Sequence, residues 1–204
     1  MIRVENLKYA VGSKSILKSL DFEISSGLTA LLGPNGAGKS TLIKLLSKDI
    51  LPTKGEIFWR GAPLDKFQSE DLATERAVLT QKVAMNYSFP VDEVVMMGRY
   101  PHFDSYPGKI DFEAVDYCLE AVQACELKER DYQSLSGGEQ QRIQLARVLA
   151  QLWEKNGCTD KALMLDEPLN NLDIRHQHQI LKLSLSFARQ GNTTITVLHD
   201  INLA

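Results

Sequence analysis

The chain has 204 residues, 44 % of them hydrophobic and 24 % charged, with a formal net charge of −3; this is the composition of an ordinary globular protein with enough chain for one good-sized core. That charge balance offers no electrostatic case for nucleic acid or acidic lipid as the main partner. No stretch approaches the ~18 consecutive apolar residues of a membrane span, and the N-terminal "MIRVENLKYA" contains no apolar signal-peptide core.

Taken in chain order, "IRVENLKYAV" and "SILKSLDFEI" alternate polar with apolar residues, the period of half-buried antiparallel strands. "LTALLG" is short and apolar throughout, which predicts a strand buried on both faces. Glycines follow, then "STLIKLLSK" with Leu42, Leu45 and Leu46 on one helical face; strand, glycine loop and helix make half of a βαβ unit. "GEIFWRG" and "RAVLTQ" predict two more strands. From Lys82 to about Asp131 the pattern becomes helical, with "VDEVVMMGR" and "DFEAVDYCLEAVQACELKER" separated by the Pro- and Gly-containing break "YPHFDSYPG". A strand in "KALMLDEP", a helix from about Asp173 to Arg189 and a strand in "TTITVLHD" complete the chain. The prediction is an α/β core interrupted by a helical insert. Cys118, Cys125 and Cys158 have no metal-like spacing, and an odd count fits reduced thiols. Cys118 and Cys125 lie seven apart in a helical pattern, which reads as core packing.

"GPNGAGKST" fits G-x-x-x-x-G-K-[ST] from Gly33 to Ser40, between a predicted strand and a predicted helix. The loop of Gly33, Pro34, Asn35, Gly36, Ala37 and Gly38 would bind an anion at a helix N-terminus, its glycines letting the loop's backbone N–H groups turn inward (Pro34 has none), with Thr41 in the first helical turn. Lys39 would reach the β- and γ-phosphates of ATP, and Ser40 would hold Mg²⁺ through its hydroxyl. A glycine-rich turn carrying a solvated lysine is the plainer reading, and the flanking strand and helix argue against it. In "ALMLDEP" four apolar residues deliver Asp166 to a strand end beside the cradle, suited to the metal's water shell. Strand alternation would turn Glu167 the other way, toward the water that attacks the γ-phosphate.

A second stretch, "SLSGGEQQRIQL", also has the look of an anion cradle. Ser136 and Glu139 form a capping box, but Gly137 and Gly138 in the first helical turn each cost about 1 kcal/mol against alanine. Glycines there suit close approach of a ligand to the backbone. One loop already wraps the triphosphate, so the second cradle is expected to close over a nucleotide held by another copy, giving a twofold homodimer.

"GPNGAGKST", "LSGGEQQR", "LMLDEP" and "LHD", in this order, resemble the ATP-binding cassette (ABC) ATPases over essentially the whole chain. The resemblance implies a P-loop NTPase (RecA-like) α/β core with an antiparallel β subdomain, about 1–83 and 154–204, and an inserted helical subdomain, about 84–153. It makes Leu135, Ser136, Gly137, Gly138, Glu139 and Gln140 the signature that contacts ATP across the dimer. Gln81 becomes a sensor of Mg²⁺ and water, and His199 a switch contacting the γ-phosphate. It makes "LNNLD", ending at Asp173, a loop that meets the other subunit, although Asn170 and Asn171 depart from the commoner Ser-Ala. The family's adenine-stacking tyrosine is replaced by Val11, so Tyr9, two residues earlier on the same strand face, is the candidate. The family's domain continues past the point where this sequence stops, so its C-terminal part is absent here.

"FPVDEVVMMGRYPHF" resembles ATPases of bacterial importers for iron siderophores, cobalamin and haem, and "RVLAQLW" with "LDIRHQHQIL" is most similar to the haem (hemin) group. Val94, Val95 and Met97 read as core and Tyr100-Pro101 as a loop, which is compatible with docking to a membrane partner. The resemblance implies two transmembrane permease subunits, a periplasmic substrate-binding protein, and a peripheral position on the cytoplasmic face of the inner membrane. It implies no nucleic acid and no direct haem contact: His176 and His178 are two apart on a predicted helix and do not share a face, and His102 stands alone. A siderophore or cobalamin importer, or a soluble ABC protein such as an iron–sulfur assembly scaffold, is the alternative.

Overall fold

A computed structural model describes residues 2–80, 85, 87–170 and 172–198. Strands β1 (Ile2–Val11), β2 (Lys14–Ile24), β4 (Lys54–Trp59) and β5 (Ala62–Pro63) form an antiparallel sheet in the order β2-β1-β4-β5. Strands β3 (Gly27–Leu31), β6 (Arg76–Leu79), β7 (Ala162–Asp166) and β8 (Thr193–Val197) form a parallel sheet in the order β3-β8-β7-β6. Helix α1 (Lys39–Leu46) packs Ile43, Leu45 and Leu46 into one core with Ile2, Val4, Leu7 and Trp59 of the antiparallel sheet and with Met164 and Ile195 of the parallel one. Every residue of β7 and β8 is buried, the expected behaviour of central parallel strands covered on both faces.

"LTALLG" does not behave that way. Strand β3 is only half-buried, and Leu28 and Leu32 are exposed. Among the described residues β3 pairs with β8 alone and so lies at a sheet edge. An apolar run reports what can be buried; position in the sheet decides what is.

A second core joins α3 (Val91–Met96), α4 (Lys109–Ala121) and α5 (Gly137–Leu152) to the faces of β6 and β7, through Val91, Val94, Val95, Leu119, Ile143 and Leu145. Helix α2 (Ser69–Glu75) lies against β6 and α5, and α6 (Ile174–Arg189) against β3 and β8. Met97 is half-buried rather than core, and Met97–His102 is a 3-10 turn rather than a loop, with Pro101 inside it. Gly98 is what brings that turn against α5: a Cβ there would lie 2.1 Å from the Arg147 carbonyl oxygen.

Helix α4 stops at Ala121, because Val122 leaves helical geometry and Gln123 takes a left-handed φ of 53°. The heptad phase therefore ends before Cys125. Cys118 is buried, but Cys125 is exposed on a 3-10 turn, contrary to the shared-core reading. Burial pushes the Cys118 thiol up to about 12, which leaves almost no thiolate at neutral pH. Maleimide on the native chain should therefore modify Cys125 rapidly and leave Cys118 untouched until the chain is unfolded. Equal labelling rates at 118 and 125, read by peptide mass, would contradict this packing.

The last carbonyls of α5 lack the usual i+4 helical partners, and those of Ala150 to Trp153 are met by side chains. Arg99 Nη1 donates to the carbonyls of Ala150 (2.7 Å) and Trp153 (2.9 Å). His102 Nε2 lies 2.8 Å from the Gln151 carbonyl, and Lys161 Nζ donates to that of Leu152. The charges of Arg99 and Lys161 also suit the negative end of the helix dipole, whereas burial lowers the pKa of His102 and favours its neutral ring. Arg99 Nε is paired with Asp111 Oδ1 at 3.0 Å, both side chains almost fully buried, and Asp111 Oδ2 accepts from the Gly108 N–H at the start of α4. One guanidinium thus ties three helical elements together at the far end of the helix that begins with Ser136.

Candidate functional site

The chain between β3 and α1 wraps an open cavity of about 470 Å³. Asn35, Gly36 and the first turn of α1 (Gly38 to Thr41) line it, with Glu167 on another wall and Lys14, Ser15 and Ile16 of β2 on a third. Gly38 caps α1 in left-handed geometry, φ 94°. A Cβ there would sit 2.7 Å from Leu17 Cδ2 and 3.3 Å from Ile16 Cγ2, so this glycine is required both by the backbone conformation and by the approach of β2. Gly33 and Pro34 contribute differently: their carbonyls accept hydrogen bonds from Lys39 Nζ at 2.7 and 3.1 Å. Ala37 closes the loop through its N–H to the Pro34 carbonyl. A helix N-terminus with its backbone N–H groups and an ammonium in one concavity is a site for a polyanion.

Asp166, the last residue of β7, is buried and accepts a hydrogen bond of 3.0 Å from Ser40 Oγ. Burial raises its carboxyl above the usual range; the Ser40 hydrogen bond opposes this, Glu167 adds to it, and Lys44 and Lys39 oppose it. A divalent cation between Ser40 and Asp166 would relieve that cost, so the donor set fits Mg²⁺. No group of three or more His, Cys, Asp or Glu forms a metal cage among the described residues. Phosphate oxygens and water would have to complete the shell, the usual habit of Mg²⁺.

Glu167 does not reach the cavity by strand alternation. Strand β7 ends at Asp166, and Glu167 has a left-handed φ of 55°. The backbone turns here: the Asn170 N–H donates to the Glu167 carbonyl at 3.4 Å, and Asn170 Nδ2 donates to Glu167 Oε2 at 2.7 Å.

Ser136 is the N-cap of α5. Its N–H and Oγ donate to Glu139 Oε2 at 2.8 and 2.7 Å, and Glu139 N–H donates back to Ser136 Oγ at 3.4 Å. The Ser136 hydroxyl, followed by its backbone N–H, holds the Glu139 carboxyl below its usual range. Leu135 is buried, and Gln140 Nε2 donates to the Tyr132 carbonyl, so these two anchor the segment. A Cβ on Gly137 would meet nothing within 4 Å; packing inside this chain does not require glycine there. None of Leu135 to Gln140 lines the cavity around Lys39. The two cradles are separate within one chain.

Tyr9 does not line the cavity either; it packs half-buried against the antiparallel-sheet core, while Val11 at the hairpin end is 57 % exposed. Asp173 is the N-cap of α6, accepting from the His176 N–H at 2.9 Å, and that bond holds its carboxyl low. Gln81, His199 and Asn171 lie outside the described residues. Sequence reasoning missed the β2 wall, Lys14 to Ile16, whose approach follows from a pairing between strands that no local motif encodes. It also missed Asn170 as a partner of Glu167, although the Asn in "EPLN", three residues after the acid, is a turn signal.

The profile of the ABC transporter family matches residues 17–170. Two curated relatives are both described as "Hemin import ATP-binding protein HmuV". One, from Gloeobacter violaceus, is 42 % identical over 100 % of this chain and 74 % of its own length. The other, from Pseudomonas aeruginosa, is 43 % identical over 100 % of this chain and 79 % of its own. Among solved structures, an inward-facing conformation of a metal-chelate type ABC transporter superposes with a TM-score of 0.79 at 29 % identity, covering 99 % of this chain and 74 % of that one.

Proposed function

The chain belongs to the ABC transporter family and is an importer ATPase, and from that premise we propose that it drives haem (hemin) uptake as one half of an ATP-sandwiching homodimer. The observation that carries the dimer is the separation just described: Lys39, Ser40 and Glu167 share one cavity, and the Ser136–Gly138 cradle lies outside it. A nucleotide in that cavity is reached by a signature only when a second copy supplies it, and twofold symmetry then builds two such sites. Haem as cargo is supported by the curated relatives, which carry that cargo in their descriptions.

In this reading Ser40 and Asp166, and by the family pattern Gln81, would hold Mg²⁺, which would supply charge neutralisation to the β- and γ-phosphates. Lys39 leaves the Gly33 and Pro34 carbonyls for those phosphates. Glu167 accepts a proton from the attacking water, and His199 contacts the γ-phosphate. ATP favours the closed dimer and ADP the open one, so turnover converts binding free energy into movement. The helical subdomain, about 84–153, meets the transmembrane permease subunits. An open groove of about 550 Å³, lined by Phe89, Met96, Tyr100 and Phe103 together with Glu93 and Asp104, supports docking of a permease helix there. No helix among the described residues is long and apolar enough to cross a membrane. In this reading the permease subunits supply the crossing, with a periplasmic protein delivering haem. The chain itself sits on the cytoplasmic face of the inner membrane and makes no haem contact.

A mixed-dimer experiment tests this. Lys39→Ala and Gly138→Asp are each expected to cut ATP hydrolysis of the complete transporter by about a hundredfold or more. Mixing the two variants should restore activity, because one composite site then has an intact loop from one copy and an intact signature from the other. No recovery in the mixed complex would overturn the two-copy site. Haem-stimulated hydrolysis in proteoliposomes with the cognate permease, absent with a siderophore or cobalamin, tests the cargo.

A further inference from the structure

We propose that Asn170 is a positioning residue for ATP hydrolysis, holding the Glu167 carboxylate in the rotamer from which it takes the proton of water; this rests on the reading of Glu167 as the general base. In that step the water oxygen bonds to the γ-phosphorus, the bond to the ADP oxygen breaks with its electron pair, and the water proton passes to Glu167. A glutamate on a turn has three side-chain torsions, and a misplacement of about 1 Å can reduce rate by orders of magnitude.

The turn supplies the restraint. Asn170 closes it twice, through its N–H to the Glu167 carbonyl (3.4 Å) and through Nδ2 to Oε2 (2.7 Å). The left-handed conformation of Glu167, φ 55°, is unfavourable for a residue with a Cβ and persists where the surroundings impose it. Those surroundings are two amide side chains from different helices. Gln141 Nε2 of α5 donates to the Pro168 carbonyl at 3.3 Å, and Gln177 Nε2 of α6 donates to the Leu169 and Leu172 carbonyls at 3.3 and 3.1 Å. Pro168 and Leu169 are buried, and Asn170 stands exposed between these anchors with its amide on the carboxylate. An amide donor is well matched to this role, because it fixes one carboxylate oxygen without a charge that would compete with Mg²⁺ or neutralise the base.

The test is steady-state ATP hydrolysis by the complete transporter carrying Asn170→Ala, Asn170→Ser, Asn170→Asp or Glu167→Gln. Asn170→Ala should lower kcat about tenfold with the KM for ATP within about twofold, because substrate binding does not involve this contact. Asn170→Ser keeps a donor and should recover most of the rate. Asn170→Asp keeps size and shape but sets a negative charge against Glu167, and should be at least as slow as alanine. Unchanged kcat in the alanine and aspartate variants, or equal losses in alanine and serine variants, would overturn the assignment. Glu167→Gln separates the two claims: if it retains turnover, Glu167 is not the base, whereas if it is inactive while Asn170→Ala is unaffected, only the role of Asn170 fails.

Discussion

Glu167→Gln is expected to slow ATP hydrolysis at least about a hundredfold while leaving nucleotide affinity intact, since a positioned general base contributes roughly 10²–10⁴ in rate. The substitution is nearly isosteric, and it removes a proton acceptor from the wall of a cavity that also holds Lys39 and Ser40. It leaves the anion-binding loop untouched. ATP that binds and is not cleaved keeps stabilising the closed state by mass action, so the variant with ATP should run as a dimer on size exclusion where the parent with ADP does not. Retained turnover would reject Glu167 as the base, and a monomer with ATP bound would reject the sandwich.

The second large effect concerns the far end of the signature helix. Arg99→Leu should destabilise the fold by about 3–5 kcal/mol, the range for removing one partner of a buried ion pair. The substitution strands the Asp111 carboxylate, which is 2 % exposed, and deprives the Ala150 and Trp153 carbonyls of the donor they share. In a protein of this size it corresponds to a fall in melting temperature of roughly 6–20 °C. Lysine is not an adequate replacement, because one ammonium cannot reproduce the planar fork that reaches Asp111 and two helix carbonyls. The double variant Arg99→Met with Asp111→Leu should recover part of the loss, because it leaves no buried charge unpaired. Denaturant unfolding in which Arg99→Leu lies within about 1 kcal/mol of the parent would show that this cluster does not hold α5 in place.

Much of this was written locally in the chain. The phosphate loop is legible because its chemistry is contiguous: after a short strand, three glycines, a lysine and a hydroxyl all act within nine residues, Gly33 to Thr41. The capping box at Ser136 is likewise contiguous, and its helix begins where the cap residue requires. Where a conclusion depended on neighbours distant in sequence, reading failed in identifiable ways. The heptad from Cys118 to Cys125 assumed a helix that Gln123 ends. The apolar "LTALL" assumed cover on two faces that its place in the sheet does not provide.

What the residues alone determined is therefore the chemistry available: a cradle for phosphates, two acids after a buried strand, and a second cradle of unusual openness. What tertiary structure decided is which groups share a space. It set Ser40 against Asp166 across 126 positions of chain, brought β2 up to Gly38, turned Glu167 out of its strand onto Asn170, and kept the Ser136 cradle away from Lys39. The reason is physical: a motif encodes short-range conformation and chemical type, whereas burial, pairing and proximity are set by packing among elements whose separation along the chain carries no local signal.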